Sequence, residues 1–315
     1  MPVDESLEPL LALLNSPGVP KMSDGTPELA RLNFRRFTVD ARQPEALVPV
    51  ASVEDMTVDG ADGVSLPGRV YRPDGAGTGN PVPTVVFFHG GGFVIGDIDT
   101  HDDQCRWICR EVGAVVLSVG YRLAPESPWP GPVEDALAAV RWAAAHVAEL
   151  GGDAARLAVA GDSAGGNLAA VVAQDCRDAS GPALAAQLLI YPATDFADVY
   201  PSMSENAEGY FLTAADMVWF SANYLPSDAD PADPRLSPLR GRLDGLPPAV
   251  VVTAGYDPLR DAGEAYASAL EAAGVPVTAH RFDGLIHGFF GLPAMSPASE
   301  KAVRTTCASL RDLLV

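Results

Sequence analysis

Lysine is almost absent from this chain: of its 21 basic residues only Lys21 and Lys301 are lysines, and together the basic residues face 41 Asp and Glu. The resulting net charge of −20 argues against nucleic acid or an anionic membrane surface as a partner, because both would repel the chain. Arginine in place of lysine, with abundant Ala, Gly, Pro and Asp, is read as the mark of a GC-rich coding sequence, with adaptation to high salt as the alternative. Cysteine is scarce as well. Cys105, Cys109, Cys176 and Cys307 form no C-x-x-C pair, so neither a disulfide framework nor a metal site is expected. Cys105, Ile108, Cys109 and Val112 recur at helical spacing, which predicts the first two on a buried helix face. No apolar run approaches the roughly 18 residues of a membrane span. The N-terminus, Met-Pro-Val-Asp-Glu-Ser-Leu-Glu, lacks the positive region and apolar run of a signal peptide, so the expected location is the cytoplasm. Internal repeats and low-complexity tracts are missing too.

What is present is apolar residues, 48% of the chain against 20% charged, enough for a packed core in one large α/β domain or two smaller ones. Helices are predicted over Glu5 to Asn15 and Pro27 to Val39, ahead of any strand signal, so residues 1–50 read as an appendage to the main domain. Ser52 to Val58 and Val64 to Arg72 bracket Asp59-Gly60-Ala61-Asp62-Gly63 and predict a hairpin. Gly75 to Pro83 reads as a loop. Strands and helices then alternate: strand Thr84 to Phe88, helix Asp102 to Val112, strand Ala114 to Val119, helix Val133 to Leu150, strand Leu157 to Ala160, helix Ala164 to Cys176 and strand Ala185 to Tyr191. Residues 193–246, rich in Pro, Asp and Ser, interrupt the rhythm with one helix, Ala214 to Tyr224. It resumes with strand Ala249 to Ala254, helix Asp261 to Ala273, strand Pro276 to Phe282 and helix Pro297 to Leu314. This βαβ rhythm predicts an α/β fold with a mostly parallel sheet flanked by helices on both faces.

Three stretches carry chemistry. Gly161-Asp162-Ser163-Ala164-Gly165 fits G-x-S-x-G between a strand and a helix, the nucleophile elbow, in which a sharp turn thrusts one serine out beside a helix N-terminus. His89-Gly90-Gly91-Gly92-Phe93 follows another strand, and its glycines leave backbone N–H groups unshielded, which suits an oxyanion hole or simply a tight turn. His89 belongs to this loop and is expected to brace it. Asp257, beyond strand 249–254, and His287, beyond the last strand, complete the order Ser…Asp…His of an α/β-hydrolase. Asp257 is also a plausible helix cap, and Asp195 is a rival acid that comes too early in the chain. Asp162, though next to the serine, points away from an imidazole. Of the other histidines, His146 falls mid-helix, His280 within a strand and His101 before a helix.

With Tyr121-Arg122-Leu123-Ala124-Pro125-Glu126, Gly161 to Asn167, Asp257-Pro258-Leu259-Arg260-Asp261 and His287-Gly288-Phe289 added to the glycine loop, the chain resembles the bacterial hormone-sensitive-lipase-type carboxylesterases from about residue 50 onward. The resemblance implies an α/β-hydrolase fold with an eight-stranded sheet over residues 51–315 and a helical cap formed by residues 1–50 and an insertion at about 195–230. It implies Ser163 as nucleophile, His287 as base and Asp257 as its orienter, the N–H groups of Gly91, Gly92 and Ala164 as oxyanion hole, and His89 and Gly90 as support for that loop. Esters of short to medium acyl chains would be the substrates, with no cofactor and no metal, in a monomer or a homodimer paired through the sheet edge. Ser127, where the family often has His, and Ala262, where it often has Glu, depart from the pattern without touching the triad. The same machinery serves amide or lactone hydrolysis, and the same fold serves as an inactive small-molecule receptor, which typically lacks the base. Hydrolysis of emulsified fat is not expected. Acyl preference would depend on the cap around Phe34, Phe37, Tyr210, Phe211 and Trp219, each of which reads more readily as core than as pocket.

Overall fold

A computed structural model describes residues 2–76, 79 and 81–315, so positions 77, 78 and 80 of the expected loop lie outside the described residues. The strands are β1 (Ser52–Asp59), β2 (Ser65–Arg72), β3 (Val82–Phe88), β4 (Val115–Val119), β5 (Gly152–Asp162), β6 (Ala186–Ile190), β7 (Ala249–Tyr256) and β8 (Val277–Ile286). They form one sheet in the order β1-β2-β4-β3-β5-β6-β7-β8. The β1–β2 and β2–β4 pairs are antiparallel; the pairs from β4 through β3 to β8 are parallel. The helices are α1 (Glu8–Leu14), α2 (Pro27–Arg35), α3 (Asp102–Ile108), α4 (Gly131–Ala145), α5 (Val147–Leu150), α6 (Ala164–Asp178), α7 (Pro201–Glu205), α8 (Ala214–Tyr224), α9 (Arg260–Ala272) and α10 (Pro297–Leu314).

Side chains alternate across a strand, and the inner strands are apolar on both faces because helices cover both. Val86 and Phe88 of β3, Leu157 and Val159 of β5 and Val251 of β7 join α4, α6 and α9 in one core. Val85, Phe87, Ala158, Ala160, Val250 and Val252 pack with α3 and α10 in the other. Cys105 and Cys109 are buried on the inner face of α3 and its continuation, as their spacing predicts, and burial pushes both thiols up.

Local departures from the expected elements have local causes. The helix predicted over 133–150 breaks at His146, whose backbone (φ −108°, ψ 10°) leaves the helix while its N–H and Nδ1 both approach the Trp142 carbonyl at 3.0 and 2.8 Å. The ring stacks on Trp142 at 4.2 Å, so His146 ends α4 rather than sitting mid-helix. The short α7 went unpredicted, although Pro201 occupies its first turn, where proline is pre-organised and no N–H is missed.

The N-terminal segment is fastened to the sheet domain by Arg31 of α2. Its Nε donates to the Val94 carbonyl at 2.8 Å, one terminal nitrogen to the Ala124 carbonyl at 2.8 Å, and both terminal nitrogens to the Glu126 carboxylate at 2.7 Å. The Arg31 hydrogen bond holds the Glu126 carboxyl at about 2, below its ordinary 4.5. A carboxyl lowered by folding stabilises the fold above its unfolded value and loses that contribution as pH falls through the folded one. Glu126→Gln is therefore expected to destabilise the protein by less than about 1 kcal/mol, since the pair is half-exposed. In urea unfolding at several pH values, the difference from wild type should hold above pH 4.5 and shrink towards pH 2.

Candidate active site

β5 runs to Asp162 and α6 begins at Ala164, so Ser163 alone makes the turn, at φ 55° and ψ −117°. A side-chain-bearing residue at positive φ is strained and persists only where its surroundings hold it. Here the Ser163 N–H donates to the Ile190 carbonyl at 2.8 Å and the Ser163 carbonyl accepts from Ala193 at 3.2 Å, tying the turn to the end of β6. Both flanking glycines are dictated by close backbone approach. A Cβ at position 161 would stand 2.2 Å from the Gly165 carbonyl oxygen, and one at position 165 would stand 1.9 Å from that of Phe88. Because backbone cannot move aside cheaply, Gly165→Ala is expected to lose roughly 3 kcal/mol of stability. A denaturation midpoint equal to wild type would show that the elbow is looser than this geometry implies.

Asp257 follows β7 directly and is fully buried. Its Oδ1 accepts the Leu259 N–H at 2.8 Å, at the start of α9, while its Oδ2 lies 2.7 Å from His287 Nδ1. Asp257 is not the cap of α9, which opens on Leu259 without a side-chain cap; one of its oxygens closes the turn ahead of that helix and the other faces the imidazole. His287 follows β8, which extends to Ile286, beyond the predicted Phe282. The β7–β8 register shifts between Ala254 and Tyr256. At Gly255 the strands come so close that a Cβ would meet the Asp283 carbonyl oxygen at 2.1 Å. His287 Nε2 is 3.0 Å from Ser163 Oγ. With Nδ1–H donating to a carboxylate, Nε2 faces the hydroxyl as an acceptor, a tautomer assigned from these partners. A base positioned in this way can take the serine proton.

The rival groups are engaged elsewhere. Asp195 pairs with Arg240 at 2.7 Å and accepts from the Tyr200 hydroxyl at 2.7 Å. His280 Nε2 lies 3.0 Å from Ser309 Oγ. Asp162 turns to the glycine loop, where its Oδ1 accepts the Gly90 N–H at 2.8 Å.

That loop leaves β3 with Gly91 at φ 109° and Gly92 at φ 58°. A Cβ at Gly91 would meet the Ile95 carbonyl oxygen at 2.2 Å, and one at Gly92 would enter the Phe220 ring at 2.3 Å. Among the described residues no acceptor is paired with the N–H groups of Gly91, Gly92 or Ala164, which leaves three donors beside the elbow. His89 Nδ1 lies 2.7 Å from the Gly90 carbonyl, its ring stacks on Tyr121 at 4.3 Å, and the Tyr121 hydroxyl donates to the His89 carbonyl at 2.7 Å. Burial first, then His101, lowers the His89 imidazole to about 4, so it is neutral at pH 7 and its Nδ1–H donates. The Gly90 N–H is thus bonded by Asp162 and the Gly90 carbonyl by His89.

Asn206 and Ser202, beside the acid's loop, carried no sequence signal. Asn206 Nδ2 donates to the Asp257 carbonyl at 3.2 Å and Ser202 Oγ to that of Pro258 at 2.8 Å, so α7 supports the acid's loop. Phe211, at φ 77°, packs against Gly288 beside His287 and lies 6.1 Å from the Phe37 ring. The N-terminal segment meets the 193–246 segment where Ser23 N–H donates to Asp216 at 3.0 Å and Asn15 to the Gly209 carbonyl at 3.0 Å. Of the two departures from the family pattern, Ser127 sits against Gly131, and buried Ala262 offers its carbonyl to Thr194 Oγ1 at 2.7 Å; neither contacts the Ser163–His287–Asp257 group.

Residues 85–291 match the profile of a family described as having the alpha/beta hydrolase fold. The chain belongs to the α/β-hydrolase family. Within its hormone-sensitive-lipase-like branch, the chain is 48% identical over 266 residues to the carboxylic ester hydrolase LipN of Mycobacterium tuberculosis, covering 82% of this chain and 70% of that protein. It is 42% identical over 316 residues to the carboxylesterase NlhH of the same organism, covering 98% and 96%. Among solved structures, the hyperthermophilic esterase of the archaeon Pyrobaculum calidifontis superposes with a TM-score of 0.93 at 41% identity, covering 99% of both chains. The sheet is the frame on which the elbow, the acid loop and the His287 loop all gather at the carboxyl ends of strands.

Proposed function

We propose that this protein hydrolyses short- to medium-chain carboxylic esters through an acyl-enzyme on Ser163. The class, carboxylic ester hydrolase, is that of relatives 42–48% identical over most of the chain. The observation that carries the mechanism is the 3.0 Å approach of His287 Nε2 to the hydroxyl of a serine held at a strained turn. Ser163 Oγ attacks the ester carbonyl as its proton passes to His287. Asp257 keeps the imidazole's Nδ1–H turned towards itself and stabilises the imidazolium. The oxyanion is received by the N–H groups of Gly91, Gly92 and Ala164, each worth roughly 3–4 kcal/mol in the transition state. The imidazolium protonates the leaving alcohol; water, deprotonated by His287, then attacks the acyl-enzyme, and the imidazolium returns that proton to Ser163 Oγ as the carboxylic acid is released.

Residues 1–50 and about 195–230 act as a cap over this site in the same reading, supported by their contacts with each other and by Phe220 and Phe211 against the two glycine turns. The substrate partner is a small ester; nucleic acid and membranes are not partners, and the enzyme works in the cytoplasm as a monomer or homodimer. In the described residues no helix is long and apolar enough to cross a membrane. A series of p-nitrophenyl esters from acetate to palmitate tests the substrate class. The expected profile peaks at short to medium acyl chains and falls steeply at palmitate; a maximum at palmitate, or faster turnover of matched anilides, would overturn it.

A further inference from the structure

Two pieces of backbone must meet at this site. The elbow carries Ser163 and the Ala164 N–H; the loop after β3 carries the Gly91 and Gly92 N–H groups. They leave adjacent parallel strands, β5 and β3, and oxyanion donors act only when held within a few tenths of an ångström of the developing charge. One side chain joins the two pieces. Asp162, immediately before Ser163, accepts from Gly90, immediately before Gly91, in a charge-assisted hydrogen bond of 2.8 Å. The contact is close enough to dictate the residue opposite it: a Cβ at position 90 would stand 2.5 Å from Asp162 Oδ2 and 3.0 Å from the Asp162 carbonyl oxygen.

The carboxylate is 5% exposed, and an isolated carboxylate buried to that degree would be costly. It is not isolated. His101, at the entry to α3, places Nε2 3.5 Å from Asp162 Oδ1, with its Nδ1 2.9 Å from Thr100 Oγ1. The Tyr191 hydroxyl stands 3.5 Å from Oδ2, and the Tyr191 ring lies 4.6 Å from that of His287. Burial alone would raise the Asp162 carboxyl, but His101, the Gly90 N–H and His89 together outweigh it and hold it below its ordinary value. A buried charge maintained by this many partners, adjacent to the nucleophile yet directed away from His287, serves the loop it holds.

We propose that Asp162 is a positioning residue for ester hydrolysis: by holding the Gly90 N–H it fixes the Gly91 and Gly92 donors relative to Ser163, so that they meet the transition state without contributing to ground-state binding. This rests on the reading of Ser163 as nucleophile and of the glycine loop as its oxyanion hole. Asp162→Ala frees the loop, whereas Asp162→Asn keeps an oxygen acceptor for Gly90 and loses only the charge.

The test compares both variants with wild type and Ser163→Ala on p-nitrophenyl butyrate, with thermal midpoints, and with inhibition by an alkyl trifluoromethyl ketone, which adds to the serine and forms an oxyanion. Asp162→Ala is expected to lower kcat on the order of a hundredfold with KM within about threefold, and to weaken the ketone by the same factor as kcat/KM. Asp162→Asn is expected to lose only about tenfold in kcat. A purely structural role would lower the thermal midpoint without this split between kcat and KM and without the matching loss of ketone affinity. Wild-type kcat in Asp162→Ala, a loss confined to KM, or unchanged ketone affinity would each overturn the proposal. Should Asp162→Ala not fold, wild-type kcat and ketone affinity in Asp162→Leu, which fills the space without accepting from Gly90, overturn it equally. The underlying reading fails separately, by an active Ser163→Ala.

Discussion

Ser163→Ala is expected to lower kcat on p-nitrophenyl butyrate on the order of a millionfold while leaving the protein folded. Serine's hydroxyl is the atom the mechanism needs; the rest of the residue is held by its backbone. The N–H donates to Ile190 and the carbonyl accepts from Ala193, and neither bond involves the side chain. Alanine meets the same strain at φ 55° as serine does, since both carry a Cβ. Among the described residues the only hydrogen bond lost is the one between Oγ and His287, so the thermal midpoint should move by no more than about 3 °C. A variant retaining more than about a hundredth of wild-type turnover would point to a different nucleophile.

Asp257→Asn should lower kcat by about ten-thousandfold with little change in KM, and the structure specifies why. One oxygen of Asp257 accepts from Leu259 at 2.8 Å, at the opening of α9. In asparagine the amide oxygen must stay there, because the NH₂ cannot accept. The NH₂ then faces His287 Nδ1, which must become an acceptor, and the imidazole proton moves to Nε2, where it meets Ser163 as a second donor. The base is thereby blocked, not merely weakened. Folding should be little affected, as the Leu259 bond survives; Asp257→Ala would lose that bond as well, at about 1 kcal/mol. Steady-state kinetics decide the matter. An Asp257→Asn enzyme within about tenfold of wild type would mean that the acid's charge and the tautomer it imposes do little for catalysis.

How far the sequence reached depended on the range of the forces involved. The sheet's strands were legible because apolar runs bounded by turn residues reflect burial on both faces, and the hairpin, α8 and α10 came out with nearly their observed bounds. Ser163 was legible because glycines 161 and 165 answer a local steric demand, the approach of backbone oxygens to within 2.2 and 1.9 Å of where a Cβ would be. Asp257 and His287 were reached through chain order and position after strands, and the fold brings His287 within hydrogen-bond reach of both Asp257 and Ser163. The contacts that went unseen join residues distant in sequence. Asp162 holds Gly90 across 72 positions, and Arg31 reaches Glu126 across 95. Periodicity reports on neighbours along a helix or strand and is silent about such pairs. Asp162 looked idle from the sequence because its use lies in another loop. The break at His146 was missed for the opposite reason: a ring-to-carbonyl bond within one turn overrides a helical pattern that continues on both sides of it.

That Ser163 carries the acyl group is tested most directly by its reaction with an aryl alkylphosphonate, which leaves a stable phosphonyl ester on the nucleophile, followed by peptide mapping by mass spectrometry. The expected result is a single adduct, on the peptide containing Ser163, with loss of esterase activity in proportion to labelling and no adduct in Ser163→Ala. Full ester turnover by a protein that takes up no phosphonyl group, or an adduct on any residue other than Ser163, would contradict the mechanism.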